Sequence, residues 1–195
     1  MPTVLLPDPT ARSDGDWQHW LAGELTAAGR EVRTASFPAG GSADLDGWLA
    51  ELRRCLDGLP DDGFDVLAHS AACILWLHHA RDQAGIEHPA VSSPRPARVA
   101  LVAPPAAGQA RPDLAFLFPA PLDIDALRRA ADGTVLVGGD NDPNCPGGVA
   151  QVYGAALKMA ATVIPGAGSL TAEAGFGPWP AVLDWCGRNN LAFIA

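Results

Sequence analysis

The most constraining feature of the sequence is a long apolar stretch that is interrupted by a serine between small residues. Phe64 to Ala68 has the composition of a buried strand, and Ala71 to Leu77 is apolar nearly all round, which predicts a buried helix. Ser70 stands between them, with Ala68 and Ala72 two residues away on either side. A strand that passes directly into a helix needs a sharp, strained turn with small neighbours, and such a turn lifts the serine hydroxyl above the sheet edge. The pattern predicts a nucleophile elbow, although a serine at a helix N-terminus is more often only a cap.

Short apolar runs alternate with helical patterns along the chain, which is typical of a mainly parallel sheet with crossover helices. The predicted strands are Val4–Leu6, Glu31–Ser36, Phe64–Ala68, Arg98–Ala103, Thr134–Gly138 and Ala161–Ile164. The predicted helices cover Trp17–Ala28, Leu45–Leu56 (capped by Ser42 or Asp44), the stretch after Ser70, Ile124–Ala131, Val149–Lys158 and Pro180–Arg188. Residues 86–97 are a predicted loop, and residues 104–123 are a longer one that is a candidate pocket cover. We expect a single α/β domain over residues 1–195.

Composition and charge narrow the class of protein. Apolar residues make up 48% and charged residues 18% of the chain, which indicates a globular protein rather than a disordered one. The net charge of −9 and the absence of a basic stripe argue against binding to nucleic acid or to anionic membranes. The start of the chain lacks the charged and apolar regions of a secretory signal, and no segment approaches the roughly 18 apolar residues of a membrane span.

Motifs for metals and cofactors are also missing from the sequence. The four cysteines (Cys55, Cys73, Cys145 and Cys186) lack paired spacing for zinc or redox chemistry, so we expect them to be reduced, mostly buried and structural. No phosphate-binding loop or dinucleotide fingerprint is present, so we expect no cofactor. A cytoplasmic protein that takes a small-molecule substrate or ligand is the prediction.

Five further segments, in order along the chain, resemble one known family. They are Asp16-Trp17-Gln18-His19-Trp20, Ala68-His69-Ser70, Val102-Ala103-Pro104-Pro105, Asn141-Asp142-Pro143-Asn144-Cys145-Pro146, and Gly166-Ala167-Gly168-Ser169-Leu170 followed by Glu173-Ala174-Gly175-Phe176-Gly177-Pro178-Trp179-Pro180. With these segments the sequence resembles the YdeN-like serine hydrolases, the group that includes retinoblastoma-binding protein 9. The resemblance implies an α/β-hydrolase fold, with a mainly parallel central sheet flanked by helices and little or no lid. It also implies hydrolysis of small esters or amides by a Ser, Asp, His triad.

The resemblance assigns two members of that triad and fails at the third. Ser70 maps to the nucleophile and Asp142 to the acid, in the chain order expected of this fold. Asp140 does not match the motif and is expected to be a loop residue. The family's histidine would fall at position 169, where this sequence has Ser169. A serine hydroxyl cannot accept the nucleophile's proton near neutral pH, so the triad is predicted to be incomplete.

The histidines of the chain offer no evident replacement for that base. His69 matches the family's residue before the nucleophile, so we expect it to shape the pocket, and it is also a candidate substitute base. His78 and His79 lie about two turns into the helix and are expected to be packing residues. His19 and His88 are placed by no motif.

The remaining parts of the predicted site are the oxyanion donors and the pocket wall. Ala71 supplies one backbone N–H, and the end of the first strand should supply another. That segment reads Pro7-Asp8-Pro9, and because proline has no N–H, the local donors are Asp8 and Thr10. The Asp8 carboxylate either turns to solvent or, if it points inward, repels an oxyanion. Aromatic residues are the candidates for an apolar pocket lining: Trp17, Trp76, Phe116, Phe118, Phe176 and Trp179.

Three functions stay open from the sequence. The first is a serine hydrolase of impaired or unusual activity. The second is a cofactor-independent lyase, cyclase or isomerase in which Asp8 acts as acid or base and Ser70 donates a hydrogen bond. The third is a catalytically silent protein that keeps the pocket for a ligand. An ordinary triad enzyme whose natural histidine at position 169 had been replaced by an engineered serine would have this same sequence, and this alternative also stays open.

Overall fold

Six parallel strands form the centre of the fold. The computed structural model describes residues 1–8, 15–38, 43–85, 93–109 and 111–188, so Thr10, Ser42 and His88 of the sequence predictions lie outside it. The strands are β1 (Thr3–Leu6), β2 (Val32–Thr34), β3 (Asp65–His69), β4 (Arg98–Val102), β5 (Gly133–Gly139) and β6 (Ala161–Ile164). The helices are α1 (Trp17–Ala27), α2 (Leu45–Leu56), α3 (Ala71–Ala84), α4 (Ile124–Ala130) and α5 (Pro180–Gly187). The predicted α/β-hydrolase fold is confirmed, with a sheet that is parallel throughout.

Helices cover both faces of the sheet because neighbouring strand residues point to opposite sides. On β3, Val66 packs in a cluster with Trp48 of α2 and with apolar residues of α3 and α4. The next residue, Leu67, packs in a second cluster with Trp17 of α1 and Trp185 of α5. Each strand therefore needs apolar residues on both faces, which is why the buried strands read as continuous apolar runs rather than as alternating ones.

The strand order β2-β1-β3-β4-β5-β6 positions the candidate elbow. From β1 the chain first adds β2 on one side and then crosses to β3 on the other side. In open parallel sheets, ligands bind beyond the carboxyl ends of the strands where the order changes direction in this way. Ser70 directly follows β3 at this point of the sheet.

Two segments differ from the sequence predictions. The helix expected over Val149–Lys158 is instead a π-helical turn over Ala150–Gly154, and its Tyr153 hydroxyl donates a hydrogen bond to the Pro105 carbonyl. Residues 104–123 are not an unstructured cover, since they contain 3-10 helices at Ala107–Gln109 and Pro112–Leu117.

The second of these 3-10 helices is fastened to α2 and α3. Phe116 packs edge-on against Trp48 with 5.1 Å between ring centroids, and His78 donates from Nε2 to the Leu117 carbonyl at 2.8 Å. Trp76 is fully buried and lies against His79. Trp76 therefore belongs to the core beside α2 and α3, whereas Phe116 is partly exposed and packs against that core.

Burial of the cysteines follows the prediction. Cys55, Cys73, Cys145 and Cys186 are all buried and free. Among the described residues, no helix is long and apolar enough to cross a bilayer.

Candidate functional site

Ser70 occupies a strained turn between β3 and α3. Its backbone angles are φ 54° and ψ −123°, a region that L-residues rarely adopt and that costs about 1–3 kcal/mol. The Ser70 N–H donates to the Val102 carbonyl of β4 at 2.9 Å, which fixes the turn to the sheet. The hydroxyl makes no capping bond to the helix, so the Ser70 side chain is not serving as an ordinary N-cap.

Small side chains and a buried thiol hold this turn. Ala68 and Ala72 are fully buried, as the predicted elbow requires. The Cys73 thiol donates to the carbonyls of Ala68 at 3.2 Å and Val102 at 3.3 Å, and so joins the first turn of α3 to the ends of β3 and β4. Cys73 is therefore a positioning residue that sequence reasoning treated only as a buried cysteine.

Gln18 is a second positioning residue without a role in the sequence interpretation. Its side-chain amide donates to the carbonyls of Leu67 at 3.0 Å and Leu6 at 3.4 Å, although it is itself buried. It therefore links β1 to β3 near their carboxyl ends. The sequence signal for this role is a polar residue next to Trp17 on the buried face of α1.

The surroundings of Ser70 supply one donor and one negative charge. Ala71 begins α3, and a first helical residue has no carbonyl within the helix to receive its N–H, so this group is available to an oxyanion. The parallel register pairs Leu6, two residues before Asp8, with Ala68, two residues before Ser70. Burial and, to a smaller extent, the charge of Asp8 raise the pKa of the Cys73 thiol, so this carboxylate acts on the electrostatics of the elbow.

Asp142 and Ser169, which the sequence interpretation placed in one site, are in direct contact. The Ser169 hydroxyl donates to Asp142 Oδ1 at 2.5 Å, and the Asn144 backbone N–H donates to the same oxygen at 2.8 Å. The side-chain amide of Asn144 in turn donates to Ser169 Oγ at 3.0 Å. Asp142 is buried, Ser169 is half-buried and Asn144 is exposed, so the three form a chain of hydrogen bonds that runs outwards to solvent.

Residues near the end of β5 hold the loop that carries Ser169. Asn141 Oδ1 accepts from the Gly168 N–H and Asp140 Oδ1 from the Gly166 N–H, both at 2.7 Å. Asp140 is thus a loop residue, as expected. A Cβ at Gly139 would lie 2.3 Å from the Gly168 carbonyl oxygen, so only glycine lets the loop approach the strand this closely.

His69 connects the elbow to the same loop. Its ring is fully buried, and Nε2 donates to the Ser169 carbonyl at 2.9 Å, since a carbonyl oxygen can only accept. Nδ1 has no hydrogen-bond partner in the part of the chain that the structure describes. Neither ring nitrogen therefore contacts the Ser70 hydroxyl, which argues against His69 as the substitute base.

Aromatic rings extend from His69 away from the elbow. Trp17 contacts His69 at 5.5 Å and Trp179 at 5.3 Å, and Phe176 contacts Trp179 at 5.1 Å, all edge to face. Trp17 is fully buried and packs against His69, the residue before Ser70, whereas Phe176 is half-buried and partly exposed at the surface. Of the six aromatic candidates for the pocket lining, Trp17, Trp76 and Trp179 are buried, and Phe116, Phe118 and Phe176 are partly exposed.

His79, one of the two histidines of α3, is not placed to act on Ser70. Burial and the neighbouring charge of Arg53 lower the pKa of His79 to about 3, so this imidazole is neutral at pH 7. His79 lines a cavity of about 280 Å³ at the amino edge of the sheet, the edge opposite Ser70. Charged residues around that cavity pair with one another, Arg95 with Asp62 at 3.2 Å for example.

Comparison with known proteins places the chain in a family. The serine hydrolase family model matches residues 3–187. The ydeN gene product of B. subtilis has a similar structure, with a TM-score of 0.74, 19% identity, and coverage of 94% of this chain and 95% of that one. A putative YdeN-like hydrolase from Pectobacterium atrosepticum gives a TM-score of 0.67 at 23% identity, covering 94% and 88%.

A more distant likeness extends to an esterase. The esterase domain of a Rhodothermus marinus protein gives a TM-score of 0.61 at 14% identity, covering 90% of this chain and 81% of that one. No curated protein matches the chain. The family model spans nearly the whole sequence and the strained Ser70 turn has the form that this fold requires, so the chain belongs to the serine hydrolase family.

Proposed function

We propose that this protein is a serine hydrolase of small esters or amides in which Ser70 is the nucleophile and the general base is missing. The observation that carries the proposal is the 2.5 Å hydrogen bond from Ser169 Oγ to Asp142 Oδ1. In a triad this carboxylate orients an imidazole, and here it holds a hydroxyl. Ser169 therefore stands beside the acid where the family resemblance implies a histidine, next to a strained Ser70 turn of the form this fold requires.

The chemistry that remains is nucleophilic attack with oxyanion stabilisation. Ser70 Oγ attacks the acyl carbon while its proton passes to solvent water, and the Ala71 N–H at the start of α3 donates to the developing oxyanion. Collapse of the tetrahedral intermediate then breaks the bond to the alcohol or amine, which leaves with a proton from water. Among the described residues, no histidine nitrogen bonds to the Ser70 hydroxyl, and the Ser169 hydroxyl beside Asp142 is not a base near neutral pH. Loss of the base lowers the rate by on the order of 10⁴–10⁶ while binding and oxyanion stabilisation persist.

Asp8 further limits acyl transfer in this proposal. Its carboxylate raises the pKa of the buried Cys73 thiol at the elbow, so its negative charge also disfavours negative charge on a tetrahedral intermediate there. Substrates with good leaving groups depend least on proton transfer, so activated esters are the class on which residual turnover is best measured.

The decisive experiment restores the base. Ser169→His should place an imidazole against Asp142, and it should raise hydrolysis of an activated acetate ester and labelling of Ser70 by a fluorophosphonate by at least 10³-fold. Ser169→Ala, which removes the hydroxyl without adding a base, is the matched control and should leave both rates low. Ser70→Ala combined with Ser169→His should abolish the gain.

Two results would overturn the proposal. One is full-speed labelling of the unchanged protein, which would mean that a base is already present. The other is a folded Ser169→His variant with no gain in either assay, which would favour the binding protein. One observation already favours the silent ligand-binding protein. Asn144 and Asp142 both form hydrogen bonds with Ser169, so an internal hydrogen-bond network occupies the position of the missing base.

A further inference from the structure

The Asp142 carboxylate is a buried charge held only by neutral donors. It is 4% exposed, and both of its recorded hydrogen bonds, from Ser169 Oγ and the Asn144 N–H, fall on Oδ1. Within the described ranges, no lysine, arginine or histidine nitrogen lies within 4.0 Å of it. In the described part of the chain, the Asp142 side chain therefore has hydrogen-bond donors but no cation beside it.

This arrangement is unusual because buried charges are ordinarily paired. Removing a carboxylate from water is costly, and an opposite charge normally offsets that cost. In a triad the partner is an imidazole that becomes cationic during each turnover. The Ser169 hydroxyl that stands in its place here is neutral. A cationic ligand that binds beside Asp142 would therefore supply the charged partner that the imidazole supplies in a triad.

A ligand can reach this charge from the solvent side. Ser169 is half-buried, and its hydrogen bond from the exposed Asn144 amide lies at the surface. A serine side chain is also shorter than an imidazole, so displacement of the Asn144 amide opens the space that a histidine ring would fill. A cationic N–H in that space replaces a neutral hydrogen-bond donor to Asp142 with a charged one. A charged donor makes the hydrogen bond to the carboxylate roughly twice as strong.

We propose that Asp142, Ser169 and Asn144 form a subsite for a small protonated nitrogen base, of which a planar imidazolium has the best shape. The ligand's N–H donates to the Asp142 carboxylate and its ring takes the place of the missing histidine. As a consequence, acyl substrates that carry such a cation are preferred over neutral isosteres. The binding itself does not require Ser70 to react, whereas the preference among substrates rests on the proposed function.

Binding is tested with imidazole alone. Titrated at about pH 5.5, where imidazole is protonated, it should bind at least 10-fold more tightly than pyrazole, a neutral ring of the same shape, as followed by NMR chemical shifts. Asp142→Asn should remove that difference. Glu173→Gln, which removes an exposed charge on the same loop, is the control for long-range electrostatics and should preserve it.

A second variant keeps the test decisive if Asp142→Asn does not fold. Ser169→His fills the subsite with its own ring and should abolish imidazolium binding. Equal binding of imidazole and pyrazole, or unchanged binding to either folded variant, would refute the subsite.

The substrate arm separates this inference from the proposed function. An acetate ester bearing an imidazolium should have a kcat/KM at least 10-fold above its neutral isostere. If imidazolium binds but neither ester is turned over, the subsite stands and the hydrolase proposal fails. If esters are turned over without discrimination and imidazolium does not bind, the subsite is refuted alone.

Discussion

Asp65 and Asp142 are both buried carboxylates, but they lie at opposite edges of the sheet and have opposite surroundings. Asp65 begins β3 at the amino edge and is fully buried, while Asp142 follows β5 at the carboxyl edge. Arg98 meets Asp65 with two parallel hydrogen bonds, Nε to Oδ1 at 2.8 Å and an Nη to Oδ2 at 2.6 Å, and Arg30 adds a second cation at 3.8 Å. From the described residues, Asp142 accepts hydrogen bonds from a hydroxyl and a backbone N–H and from no cation.

The partners of Asp65 are themselves fully engaged. Arg98 also donates to the carbonyls of Trp185 and Arg188 and lies 4.3 Å from the centroid of the Trp185 ring, so it joins β3 and β4 to the end of α5. Burial raises the pKa of the Asp65 carboxyl, and the Arg98 guanidinium opposes that rise. Every charge in this group therefore has a structural partner.

The contrast shows that the paired charges that stabilise this fold and the residues of its candidate site lie at opposite edges of the sheet. At the amino edge, charge is cancelled within the protein and the backbone around it is regular strand. At the carboxyl edge, charge is left partly uncompensated beside a strained backbone, with positive φ at Ser70, Ala103 and Leu170. Positive φ also occurs before the strands, at Asp62 and Lys158, so strain by itself does not separate the two edges. Strain and incomplete pairing both cost stability, and at Ser70 and Asp142 both are found at the edge where ligands bind in parallel sheets.

The largest expected effect comes from breaking the amino-edge pair. Arg98→Met leaves Asp65 buried with Arg30 as its remaining cation and should lower the free energy of unfolding by about 3–5 kcal/mol. Arg128→Met is the matched control, because its ion pair with Asp125 is more than half exposed, and it should change stability by less than about 0.5 kcal/mol. Urea denaturation measures both, and an Arg98→Met loss below about 1 kcal/mol would contradict the structural role assigned to the pair.

A smaller effect is expected from disturbing the backbone at the carboxyl edge. The Cβ of Gly139→Ala meets the Gly168 carbonyl, so the loop with Ser169 must shift, at a cost of about 1–3 kcal/mol in unfolding free energy. Gly23→Ala is the control, since Gly23 is exposed inside α1 with open space around it, and it should gain about 0.5–1 kcal/mol. Chemical denaturation of the two variants separates a steric cost from the general effect of replacing glycine. A Gly139→Ala variant as stable as the original chain would show that the loop does not depend on this close approach.

Much of the fold could be predicted because the signals are local. All six strands lie within two residues of the predicted ends, since buried parallel strands are short apolar runs bounded by turns. The turn at Ser70 followed from the same kind of signal, a strand and a helix with no loop between them. The contact of Asp142 with Ser169 agrees with the arrangement that family resemblance implies.

The contacts that complete the candidate site could not be predicted, because they join distant parts of the chain. The Gln18 amide reaches the Leu67 carbonyl 49 residues away, and the His69 ring reaches the Ser169 carbonyl 100 residues away. Nothing in a single sequence states which side chain faces which carbonyl until the strand order is known. For the same reason the contact of Phe116 with Trp48, 68 residues away, has no signal in the sequence.

The smallest expected effect is the one that tests the comparison most sharply. Asp142→Asn keeps an acceptor oxygen for Ser169 Oγ and the Asn144 N–H, and it leaves no protein cation without a partner. Loss of the charge should therefore change the free energy of unfolding by less than about 1 kcal/mol in either direction, in contrast to Arg98→Met. Urea denaturation at pH 7 is again the measurement. A loss above about 2 kcal/mol would mean that Asp142, like Asp65, is tied into the fold by a charge partner, and its carboxylate would then not be available to a ligand.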